Sequence, residues 1–88
     1  MKIRKGFVVR KVGDAYVAAP VGEESQRTRA MILLNETGAW LFNFFENEHT
    51  EEECAVALST EYEVDLQTAK KDVAAFLETL KNKGMMEE

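Results

Sequence analysis

Arg29-Ala30-Met31-Ile32-Leu33-Leu34-Asn35-Glu36-Thr37-Gly38-Ala39 is the stretch on which the fold turns, because the period of the chain changes inside it. As far as Leu34 the residues are apolar on both faces of an extended chain and read as a strand over Arg29–Leu34. From Asn35 onward the apolar spacing is helical. Asn35 is a good N-cap for a helix over roughly Glu36–Glu46, and Glu36 stands favourably at the positive end of its dipole.

Upstream of this switch the chain reads as a hairpin. Phe7–Val12 is β-branched and aromatic, Gly13-Asp14 supplies a two-residue turn, and Ala15–Pro20 returns. Pro20 cannot donate to a ladder and suits a strand end. Val21–Thr28 is polar and reads as an eight-residue loop. Downstream, Thr50 and Glu53 have capping-box spacing and open a second helix to about Glu61 that buries Cys54, Ala55 and Leu58. Asp65 caps a third helix with an apolar stripe of Leu66, Ala69, Val73, Phe76, Leu77 and Leu80. Lys81 and Lys83 lie in its last turn, and Gly84 suits a left-handed C-terminal position. Met85 and Met86 are expected to fold back over the helix end, and Glu87 and Glu88 to fray. Strands segregated from helices define an α+β domain with the sheet covered on one face.

With 88 residues this is a single domain, 1–88, whose folding buries roughly 60% of the unfolded chain's surface around one core. At 45% hydrophobic and 31% charged, the composition is globular. A lone Cys and a lone His exclude an internal disulfide, a four-Cys zinc site and two-His metal motifs. No apolar run reaches membrane-spanning length and the start lacks a signal-peptide core, so a soluble, cytoplasmic protein is expected.

Enzyme chemistry has little to draw on. Cys54 falls on an apolar helical stripe, where free Cys serves as a small hydrophobe, and His49 lies in a loop. The acidic stretch Glu46–Glu53 has no EF-hand spacing, and no Gly-rich phosphate loop occurs. Neither an enzyme nor a cofactor is expected. Four aromatics crowd Trp40–Phe45; a core-facing stripe takes Leu41, Phe44 and Phe45, with Trp40 at its margin and Phe42 pointing away.

Charge and edges bear on partners. The net charge of −5 divides into +4 over residues 1–30 and −9 over residues 31–88. This balance argues against general nucleic-acid binding, and the basic first third favours an acidic peptide or is simply solvated. In a simple meander the third strand is an edge, and between Ala30 and Leu34 it carries neither Pro nor charge to blunt it. An added peptide strand would cover it; so would the amino-terminal strand, or a second copy in a homodimer.

The run Leu34-Asn35-Glu36-Thr37-Gly38-Ala39 resembles the PqqD-like family, as do the opening Lys5-Gly6-Phe7-Val8-Val9, Thr50–Glu53 with Glu61-Tyr62, and Asp72-Val73, Phe76-Leu77, Leu80 and Gly84. The resemblance covers nearly the whole chain. It implies a winged helix-turn-helix-like domain, a three-stranded antiparallel sheet followed by three helices. It also implies a standalone peptide chaperone, or RiPP recognition element. Such a protein binds the leader segment of a ribosomally synthesised precursor peptide by strand addition. It then presents the leader to a modifying enzyme, often a radical S-adenosylmethionine enzyme. Carried over to this chain, Arg29, Ala30, Met31, Ile32, Leu33 and Leu34 supply the strand edge. Ala69, Asp72, Val73 and Phe76 line the opposite wall, with Lys70 flanking it. The alternative is a transcription regulator that reads DNA with its third helix, for which the possible helix-turn-helix and Lys70, Lys71, Lys81 and Lys83 speak.

Overall fold

The hairpin forms as its residues dictate. In the computed structural model, which describes residues 1–87, β1 (Phe7–Val12) pairs antiparallel with β2 (Ala15–Pro20) from Phe7↔Pro20 to Val12↔Ala15. Gly13 supplies the positive φ of 63° that the two-residue turn requires. The loop that follows contains one short helical turn, α1 (Glu24–Arg27), not foreseen from its polar composition. Glu24 is buried there and ion-paired with Arg4, a long-range contact that no local pattern announces.

β3 (Ile32–Leu34) completes the sheet in the order β1-β2-β3, in register Tyr16↔Leu34, Val17↔Leu33 and Ala18↔Ile32. The strand is shorter than Arg29–Leu34, for a reason visible in the register. Continued outward, the ladder would bring Ala30 opposite Pro20, which has no N–H to give. The Ala30 N–H donates instead to Thr28 Oγ1 at 3.0 Å.

Three further helices follow: α2 (Glu36–Phe44), α3 (Glu51–Tyr62) and α4 (Leu66–Asn82). Asn35 caps α2, Thr50 and Glu53 form the reciprocal capping box of α3, and Asp65 caps α4. The Thr50 backbone N–H donates to the Glu53 carboxylate at 2.7 Å and holds that carboxyl below its ordinary range. Glu63, in the left-handed region at φ 51°, turns the chain between α3 and α4. There the Ser59 hydroxyl donates to the Val64 carbonyl at 2.6 Å. The architecture is the expected α+β, winged helix-turn-helix-like one, with α1 added.

α2 is the central layer, touching all three strands on one side and α3 and α4 on the other. This position explains its aromatic load and corrects its expected phase. Phe42 is fully buried with Leu41 and Phe45, while Phe44 is only half-buried. A helix sandwiched between two layers needs apolar side chains on both sides, so the single-stripe expectation fails. Trp40 and Phe44 stack at 5.5 Å, Trp40 meets Tyr62 edge-on at 6.0 Å, and Phe44 stacks on His49 at 4.1 Å.

The chain ends are tied together. Ile3 bridges Met86, the Arg4 N–H donates to the Met85 carbonyl at 2.8 Å, and Met85 is fully buried. Glu87 does not fray as expected: its N–H donates to the Lys2 carbonyl at 2.7 Å. Glu88 lies outside the described residues.

The two-sided burial of α2 has a measurable consequence. Phe42→Ala should cost about 3–5 kcal/mol, the range for emptying a large aromatic site, and Phe44→Ala markedly less. Urea midpoints of the two variants check the order.

Candidate functional site

β3 presents a free flank. It pairs with β2 alone among the described residues. The amino-terminal strand does not cover it, since β1 lies at the far side of the sheet and Ile3 pairs with Met86. Ile32 and Leu34 point into the core, whereas Leu33 is 80% and Met31 57% exposed. Ala30 is half-buried and Arg29 is exposed. The edge therefore keeps an apolar outer face and unpaired main-chain groups, without a proline or charge between Ala30 and Leu34 to discourage pairing.

A groove begins where β3 ends. Thr37, Gly38 and Leu41 of α2 and Asp72, Phe76 and Thr79 of α4 line an open cavity of about 410 Å³. The α2 side follows from the motif at the strand-helix junction. Asn35 Oδ1 accepts from the Gly38 N–H at 2.8 Å. A Cβ on Gly38 would stand 3.1 Å from Leu34 Cδ2, so a glycine lets the strand's last side chain tuck beneath the helix.

The structure divides the sequence-derived wall. Asp72 is exposed and Phe76 half-buried, and both face the groove. Ala69 and Val73 do not: both are fully buried, because they belong with Leu77 and Leu80 to the stripe that α4 sinks into the core. Lys70 is on another flank altogether, where with Glu51, Glu52 and Ala55 it lines a separate cavity of about 290 Å³. Asn35, Thr37, Gly38, Leu41, Ala75 and Thr79 also line this cavity and lay outside the sequence-derived set. Ala75 and Thr79 were recoverable, since they stand three and seven residues from Asp72 on one helix face.

Elsewhere the residues offer little chemistry. Cys54 is fully buried on α3, and burial, with Glu51 adding to it, pushes its thiol up from 9.0 to about 12. No group of three or more His, Cys, Asp or Glu side chains that could hold a metal ion occurs among the described residues. No helix among them is long and apolar enough to cross a membrane.

The site is thus a small three-stranded sheet whose β3 edge is unpaired among the described residues, with a groove between two helices at the end of that strand. The family model described as coenzyme PQQ synthesis protein D (PqqD) matches residues 24–86. The chain belongs to the PqqD family. Among solved structures, that of TbiB1 in complex with the TbiA(beta) leader peptide is 29% identical, with a TM-score of 0.76, over 99% of this chain and 95% of that one. The lasso peptide synthetase B1 complexed with the leader peptide is 27% identical, with a TM-score of 0.70, over 96% and 93% respectively. A comparison with curated proteins returns no match.

The state of Cys54 is directly testable. At about pH 8 a disulfide reagent should leave the native thiol unmodified and react promptly once denaturant unfolds the chain. Rapid labelling of the native protein would contradict the burial described.

Proposed function

We propose that this protein is a peptide chaperone without catalytic activity of its own. It takes the leader segment of a ribosomally synthesised precursor peptide as a fourth strand along β3. It then presents that precursor to a modifying enzyme, of the radical S-adenosylmethionine class by the family resemblance. The observation that carries this reading is the free β3 flank beside the α2–α4 groove, in a fold shared with two chains solved with leader peptides.

The physics of such docking is simple. A fourth strand would lie about 4.8 Å beyond β3, its main-chain groups satisfying the open flank. Alternate side chains would point to opposite faces. One set would meet the groove beside Phe76, and the other would continue the outer face marked by Leu33. Main-chain bonds supply affinity for any extended segment, and the groove supplies selectivity. A leader that is disordered when free must be ordered on binding, which costs part of the gross interaction energy and keeps the complex releasable.

Two other occupants are weaker. α3 and α4 do form a helix-turn-helix, but the −9 balance of residues 31–88 opposes phosphate contacts. A second copy pairing edge to edge would seal the same flank and show as concentration-dependent mass.

Titrating the labelled protein with the leader segment of a candidate precursor peptide should shift amides from Arg29 to Leu34 and around Phe76. Binding that leaves these amides unmoved ends the strand-addition model. Met31→Pro removes an N–H near the start of the edge. It should weaken binding about tenfold, the equivalent of one or two hydrogen bonds, while circular dichroism shows the fold intact. Unchanged affinity in that folded variant would count against the site.

A further inference from the structure

We propose that Asp72 sets a charge preference in the groove: the bound segment carries a lysine or arginine at an inward-facing position, beside an apolar residue seated on Phe76. The inference rests on the leader-strand reading and adds the chemistry that reading lacks.

Four observations converge on it. Among the described residues Asp72 is the one charged residue lining the groove; its companions there include Thr37, Gly38, Leu41, Phe76 and Thr79. Its side chain is exposed, and the ion pairs among the described residues, Met1–Glu48, Arg4–Glu24 and His49–Glu53, leave it out. No cation on α4 is placed to neutralise it, since the residues three and four away are Thr68, Ala69, Ala75 and Phe76. Lys70, two positions back, stands instead with Glu51 and Glu52 of α3.

Strand geometry supplies the reach. Residues i and i+2 of an added strand point to the same face. One inward side chain can therefore rest its apolar body on Phe76 while the next inward side chain extends toward Asp72. Lysine and arginine suit that place because their methylene stems cover apolar surface while the charged head stays near water. The −9 balance of residues 31–88, the segment that supplies both walls of the groove, favours the same sign of partner. An acidic side chain there would meet an unpaired carboxylate, which rejects the wrong register as well as the wrong peptide.

The test uses a displayed library of short random peptides selected on the full chain, on Asp72→Asn and on Asp72→Lys. Asp72 is exposed, so the variants fold as the parent does, which amide spectra verify. The parent should enrich peptides with Lys or Arg two residues from an apolar anchor, and Asp72→Lys should enrich Asp or Glu at that position. A selected peptide should bind Asp72→Asn about threefold more weakly than the parent, the scale of a partly exposed ion pair, with a shallower dependence on salt. If selected peptides shift the β3 amides but show the same charge pattern on all three proteins, the Asp72 assignment fails and the strand-addition reading survives. If no selected peptide shifts the β3 amides, both fail.

Discussion

The junction Leu34–Gly38 is the constraint on which the rest of the structure depends. Leu34 ends the sheet pointing into the core, Asn35 turns the chain and caps the next helix, and Gly38 leaves the room that Leu34 occupies. These contacts fix the angle at which α2 leaves the sheet. That angle lays α2 under all three strands and presents its opposite side to α3 and α4. The same angle opens the groove beside the end of β3, because α2's first turn and the middle of α4 meet there as its two walls. Scaffold and candidate site are therefore consequences of one local arrangement.

An open edge is a hazard as well as a binding device, and the fold limits the hazard. β3 has only three residues in ladder pairing, too short a template for extensive edge-to-edge growth. Its length is cut on the upstream side by Pro20 across the sheet. Meanwhile the two ends of the chain close on each other, Ile3 bridging Met86 and the Glu87 N–H donating to the Lys2 carbonyl. Arg4 pairs with Glu24 and donates to the Gly84 carbonyl at 2.6 Å, and Met85 seals the core. The domain thus completes its core from its own residues, while the outer flank of β3 stays available for a fourth strand.

The division of labour within α4 shows how one helix serves packing and recognition together. Ala69, Val73, Leu77 and Leu80 form a narrow buried stripe. Asp72, Ala75, Phe76 and Thr79 sit beside it and reach the groove, and Lys70 points to the far flank. Adjacent positions on a helix are about 100° apart. A residue and its neighbour can therefore differ completely in role, and an assignment wrong by one position exchanges core for surface.

Much was readable from the residues alone: the hairpin with its Gly13-Asp14 turn, the caps at Asn35, Thr50 and Asp65, and the unblunted third strand. Each depends on interactions within a few residues, so its signal lies in contiguous sequence. Other features were decided only by tertiary structure. Phe42 outranks Phe44 in burial because α2 packs on two sides, and a hydrophobic period cannot say how many neighbours a helix has. Ala69 and Val73 went to the core and Lys70 to α3 because helix phase is set by packing partners distant in the chain. The end of β3's ladder was set by Pro20 across the sheet, and the turn of α1 is held by Glu24 meeting Arg4. Local backbone preference and capping chemistry are written along the chain; which face meets which neighbour is settled only when distant segments compete for one small core.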